Sequence, residues 1–83
     1  MYRIIISPQA QKEIKKIKKT YQDAINNAVK ELREDPSSGK ALGSDLNGRF
    51  SYKVGPYRII YLINKKDKII NILTAGHRSI VYK

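Results

Sequence analysis

The 83-residue sequence has no cysteine and no tryptophan, a single histidine, and only 7 acidic residues. Without cysteine there are no disulfides, no thiolate metal sites and no cysteine nucleophile. One histidine gives no basis for a metal cage, and so few carboxylates argue against two-metal phosphoryl transfer. Long apolar runs are missing too. The longest, residues 59–63, falls far short of the roughly 18 residues a membrane span needs. The apolar stretch at residues 4–6 is too short for the core of a signal peptide. These absences lead us to expect a soluble cytoplasmic chain with no cofactor, no metal and no membrane contact.

Positive charge is abundant. Lys and Arg total 17 against 7 Asp and Glu, a net charge of +10. An excess of that size points to a polyanionic partner, either nucleic acid or an acidic protein surface. The 41% hydrophobic content falls into periodic segments, which sets the chain apart from disordered basic tails. Its length suits one small domain, 1–83, and leaves no room for a deep cleft between lobes.

Residues 2–6, Tyr-Arg-Ile-Ile-Ile, are β-branched and aromatic, and read as a short strand stopped by Ser7-Pro8. Ser7 fits an N-cap, and Pro8 fits the first helical position. Apolar residues then recur at Ala10, Ile14, Ile17, Tyr21, Ile25, Ala28 and Leu32, steps of three and four that share one helical face. A single straight helix over this stretch would be about 40 Å long. A domain of this size has a radius of gyration of about 12 Å, so such a helix would overhang it. Thr20-x-x-Asp23 matches a capping box, and we expect two helices, 8–18 and 21–34, folded as a hairpin. Asp35-Pro36 ends the second helix, and residues 37–47 read as an exposed connection.

The remainder is strand-like. Phe50, Tyr52 and Val54 alternate with Arg49, Ser51 and Lys53. Gly55-Pro56 turns the chain into a nearly continuous apolar strand, residues 57–63. A second turn at residues 64–68 leads to a strand over 69–74, which Gly76 is expected to interrupt before a terminal segment, 79–83. The expected fold is α+β, ordered β-α-α-β-β-β, an antiparallel-dominated sheet with a helical hairpin on one face. The other face is left uncovered.

Charge is distributed unevenly along this order. From residue 46 onward, Arg49, Lys53, Arg58, Lys65, Lys66, Lys68, Arg78 and Lys83 face one acid, Asp67. The turn lysines read as solubilising. Arg49 and Lys53 share a strand face, and Arg58 is the lone charge in an apolar strand. Buried unpaired it would cost several kcal/mol, so it needs either solvent or a carboxylate such as Glu13 or Glu31. His77-Arg78 and Tyr82 come from the neighbouring C-terminal segment. Lys53, Arg58, His77, Arg78 and Tyr82 together offer a base, cations for phosphate oxygens and an acid, the set that RNA cleavage through its 2′-hydroxyl requires without metal. No acid lies near His77 in sequence, so a Ser-His-Asp arrangement is poorly supported.

The run Gly48-Arg49-Phe50-Ser51-Tyr52-Lys53-Val54-Gly55-Pro56-Tyr57-Arg58-Ile59-Ile60-Tyr61 resembles the strand pair of the RelE/ParE toxin superfamily, and Gly76-His77-Arg78-Ser79-Ile80-Val81-Tyr82 resembles its terminal motif. Ser7-Pro8 before a basic helical hairpin, and Glu34-Asp35-Pro36 closing it, fit as well. The resemblance implies a toxin of a toxin–antitoxin pair with a cognate antitoxin. In the RelE branch it implies a ribosome-dependent endoribonuclease that cuts mRNA. By position, Arg58 would hold the scissile phosphate and Arg78 would assist it or the leaving group. Tyr82 would stack on a base or move a proton, and Lys53 would stabilise charge or act as base. RelE-type members often carry a second lysine on this strand, where Lys53 is followed by Val54-Gly55. The general base is therefore open between Lys53 and His77. ParE-like members share the scaffold and inhibit DNA gyrase without cutting RNA. A plain nucleic-acid-binding module is the third alternative.

Overall fold

Ser7 does two things where the first strand becomes a helix. Its Oγ accepts the Ala10 N–H at 3.0 Å, capping the helix, and donates to the Leu73 carbonyl at 2.8 Å, tying that helix to the far end of the sequence. The computed structural model describes residues 1–41 and 48–77. Strand β1 (Arg3–Ile6) is followed by helices α1 (Pro8–Lys15) and α2 (Lys19–Glu34), then a 3₁₀ turn (Pro36–Ser38). Strands β2 (Lys40–Ala41), β3 (Arg49–Val54), β4 (Tyr57–Asn64) and β5 (Ile69–His77) complete the order. The sheet runs β1-β5-β4-β3-β2. Among the described residues only β1–β5 is parallel; the other pairings are antiparallel. The α+β class and the helix-covered sheet are as the sequence implies.

The apolar stripe supplies the helix side of the core. Ala10, Ile17, Ile25, Ala28 and Leu32 pack with Val54, Ile59, Tyr61, Ile70, Ile72 and Ala75 of the sheet. The Cα radius of gyration is 11.8 Å, which accounts for the break in the long helical pattern. That break falls earlier than the capping box suggests. Helix α1 stops at Lys15, α2 starts at Lys19, and the N-cap position is Lys18 with no side-chain bond. Gln22 closes the bend instead, donating its side-chain N–H to the Ile17 carbonyl at 2.8 Å. The Lys18 carbonyl accepts from the Tyr21 and Gln22 N–H groups, both at 2.9 Å. Ile17 sits in the bend yet is buried with the core, so the apolar spacing passes through the interruption without a mark.

Two further expectations change, and a third lies outside the described residues. The stretch 37–47 is not wholly a connection, because the 3₁₀ turn and β2 lie in it. Residues 42–47 and 78–83 are outside the described residues, and with them the terminal segment 79–83. Gly76 does not interrupt β5: the strand continues through it, paired with Arg58. Gly55 has φ +57, the left-handed conformation needed at the first position of a two-residue II′ hairpin loop. Among the described residues no helix is long and apolar enough to cross a membrane.

Candidate functional site

Strand alternation gives the sheet two unlike faces. Lys53 lies directly opposite Arg58, and Arg58 directly opposite Gly76, so the three form one row across β3, β4 and β5 on the side away from the helices. Opposite residues have Cβ atoms about 4.5–5.5 Å apart, and Gly76 adds no side chain to the row. Lys53 is exposed and Arg58 half-buried. The Arg58 guanidinium folds back on the β3–β4 hairpin, Nη1 donating to the Tyr57 carbonyl at 3.2 Å and the Gly55 carbonyl at 3.5 Å. Carbonyls orient a guanidinium without cancelling its charge. Exposed Arg49 shares this face with Lys53, with Ser51 between them.

The carboxylates suggested as partners for Arg58 are engaged elsewhere. Glu31 Oε2 accepts the Tyr52 hydroxyl at 2.7 Å. That bond, with burial and the negative charge, raises the Tyr52 pKa above its ordinary value. Glu13 Oε1 accepts the Thr74 hydroxyl at 2.6 Å and the Ala75 N–H at 3.1 Å. Two like charges therefore stand face to face with no carboxylate partner among the described residues. Opposed like charges on neighbouring strands destabilise a sheet, so folding alone gives no reason for this arrangement.

The structure does not bring His77 to this row. It lies opposite Tyr57, one residue out of phase with Arg58, so its ring is on the helix side. It meets the Tyr57 ring edge-on, centroids 5.9 Å apart at 82°, and Tyr57 in turn meets Tyr21 at 5.1 Å and 63°. The sequence reading missed this aromatic row because the pairing of Arg58 with Gly76, which sets the phase, runs through a glycine expected to end the strand. Arg78 and Tyr82 lie outside the described residues. The far face is also less bare than expected at its centre: Ser51 and Ile60 are 8% and 5% exposed. No group of three or more potential metal ligands occurs among the described residues.

A small helix-covered mixed sheet with a cationic row at one hairpin defines a class, and comparison with known proteins gives the family. Residues 4–82 match the family described as the ParE toxin of the type II toxin–antitoxin system parDE. The chain belongs to this toxin family. Toxin RelG of Mycobacterium tuberculosis is 37% identical over 51 residues, 61% of this chain and 59% of that protein's own length. The RelBE2 toxin–antitoxin complex of the same organism contains a chain with TM-score 0.82 and 29% identity, covering 93% of this chain and 98% of that one. The archaeal RelE–RelB complex of Pyrococcus horikoshii OT3 gives TM-score 0.81 at 27% identity, covering 96% and 98%.

Proposed function

We propose that this toxin is a ribosome-dependent, metal-independent endoribonuclease that cuts translated mRNA and is neutralised by a cognate antitoxin. The observation that carries the reading is the Lys53–Arg58 pair, two cations side by side whose described partners include no carboxylate. Cleavage through the 2′-hydroxyl builds negative charge on the phosphate, and fixed cations beside it stabilise that charge in the transition state. Arg58, already oriented by two carbonyls, grips the non-bridging oxygens. Lys53 adds charge or takes the 2′-hydroxyl proton, and Arg49 extends the grip along the strand. Arg78 assists the phosphate or the leaving group, and Tyr82 stacks on a base or moves a proton. His77, across the sheet from Arg58, is the alternative base.

The solved relatives include toxins held in complexes with their antitoxins. An acidic or amphipathic antitoxin segment folding over Lys53 and Arg58 would silence this one. Inhibition of DNA gyrase is the second reading, favoured by the family match to ParE and by the orientation of His77 away from the cationic row. Induction of the chain in cells, with transcript ends and DNA breaks mapped in parallel, separates the two. Ends inside translated frames support the nuclease; DNA breaks with intact transcripts overturn it.

A further inference from the structure

Beyond Ile72, β5 loses its parallel neighbour, because the register with β1 ends at Ile6↔Ile72. Ser7 covers the first vacated positions, its N–H donating to the Ile72 carbonyl at 3.0 Å and its hydroxyl to the Leu73 carbonyl at 2.8 Å. There the chain turns into α1, and Glu13 reaches back from that helix. Its single Oε1 accepts both the Thr74 hydroxyl and the Ala75 N–H, at 2.6 and 3.1 Å. One carboxylate oxygen stands where a strand would have been.

The inner edge of β5 is divided at the same level. The β4–β5 register shifts between Ile60 and Tyr61, passing from Ile60↔Thr74 to Tyr61↔Ile72. Leu73 is left over as a bulge. Residues 74–77 are thus a separate short segment of ladder beyond the bulge. In an antiparallel ladder backbone groups alternate in direction. Because the Ala75 N–H faces outward to Glu13, the backbone of Gly76 faces inward to that of Arg58.

We propose that Glu13 is a positioning residue for Arg58. By fixing Ala75 it holds the terminal ladder segment in the register that sets the Arg58 backbone, and hence the point from which the guanidinium reaches the row with Lys53. The catalytic consequence rests on the nuclease reading; the register consequence does not. A carboxylate in this position has no part in gripping an anion, so its effect on activity passes through the strand.

The test compares the full-length wild type with Glu13→Ala, Glu13→Gln and Thr74→Val by amide hydrogen exchange, the Arg58 side-chain NMR signal and steady-state cleavage on ribosomes. Glu13→Ala should lower protection of the Ala75 and Gly76 amides about tenfold or more while Ile70 and Ile72 are unchanged, and should shift the Arg58 signal. It should lower kcat by roughly 100-fold with KM nearly constant, as a misplaced catalytic group does. Glu13→Gln keeps an acceptor oxygen and should restore all three readouts. Thr74→Val, which removes one of the two bonds, should fall between, and it serves in place of Glu13→Ala if that variant does not fold. Uniform loss of protection along β5, or an unmoved Arg58 signal, would overturn the inference. Normal kcat with an opened strand end would overturn its catalytic half. Absence of RNA cleavage by the wild type counts against the nuclease reading alone, and the exchange and NMR results then decide the role of Glu13.

Discussion

On the helix-covered face of the sheet, polar groups meet specific partners. The Tyr61 hydroxyl donates to the Pro36 carbonyl at 2.8 Å, the Tyr52 hydroxyl meets Glu31, and the Phe50 and Tyr61 rings stack with centroids 5.6 Å apart. On the opposite face Lys53 and Arg58 stand together, and among the described residues the guanidinium is met by backbone carbonyls. Both faces belong to the same strands, so the difference lies in where the chain directs its few acids. Glu13 and Glu31 complete a strand edge and a tyrosine contact, and among the described residues no carboxylate is left beside the cations. The first face is arranged for folding, and the second keeps a charge excess that folding does not need.

The two faces should therefore fail in different ways. Replacing Arg58 by Ala should reduce cleavage of translated mRNA by roughly 100- to 1000-fold, the usual cost of losing a preorganised charge-stabilising donor. Thermal unfolding should hardly move, since the lost bonds are two carbonyl contacts at a hairpin. Leu32 is 0% exposed, and Leu32→Ala should cost about 2–5 kcal/mol of stability. Its cleavage rate per folded molecule, measured below the unfolding transition, should stay normal. The contrast is lost if Arg58→Ala unfolds the chain or if folded Leu32→Ala is inactive.

Much of this architecture was legible in the sequence, for identifiable reasons. Helical spacing from Ala10 to Leu32 and strict alternation from Arg49 to Val54 are local consequences of burying one face. The Ser7-Pro8 cap is equally local. The helix break was misplaced because a buried Ile17 keeps the stripe continuous across it, and the amide of Gln22 that closes it resembles any polar surface residue. The parallel β1–β5 pairing and β2 depend on long-range docking that no local pattern encodes. At the candidate site, the pairing of Lys53 with Arg58 follows from a tight Gly55-Pro56 hairpin and could be counted out. The phase of His77 could not, because it depends on β5 running through Gly76.

Smaller effects separate the two faces further. Lys53→Gln should slow cleavage about tenfold, less than loss of Arg58, because a flexible ammonium is a weaker phosphate clamp than an oriented guanidinium. It should also raise stability by about 0.2–1 kcal/mol, since it removes a cross-strand repulsion. Denaturant unfolding and cleavage assays on one preparation would show the opposite signs; a destabilised Lys53→Gln would remove the argument that this pair is kept against the interest of folding. His77→Gln should leave the cleavage rate unchanged, because its ring meets Tyr57 on the other face. A rate lowered about 100-fold or more in the folded variant would identify His77 as the base and require substrate to reach around the end of β5.

A last expected effect tests the closed face alone. Tyr61 is fully buried, and burial raises its pKa above the ordinary value of 10.0, with lesser opposing and reinforcing contributions around the hydroxyl. The folded state therefore holds this proton more tightly than the unfolded chain does. Its contribution to stability is complete below the unfolded value and is lost as pH rises through the folded one. Tyr61→Phe should cost about 1 kcal/mol at neutral pH, through the lost bond to Pro36, and its stability should decline less steeply than the wild type's in alkali. Cleavage per folded molecule should be untouched at neutral pH. Urea unfolding at a series of alkaline pH values reads the difference directly. Parallel curves would mean that the hydroxyl holds its proton no more tightly in the core than in the unfolded chain. Gly39 is tied to the same contact, because a Cβ there would collide with the Tyr61 hydroxyl. Phenylalanine at position 61 should therefore partly relieve a Gly39→Ala substitution, a coupling expected only if the ring and the turn after Pro36 are packed as described.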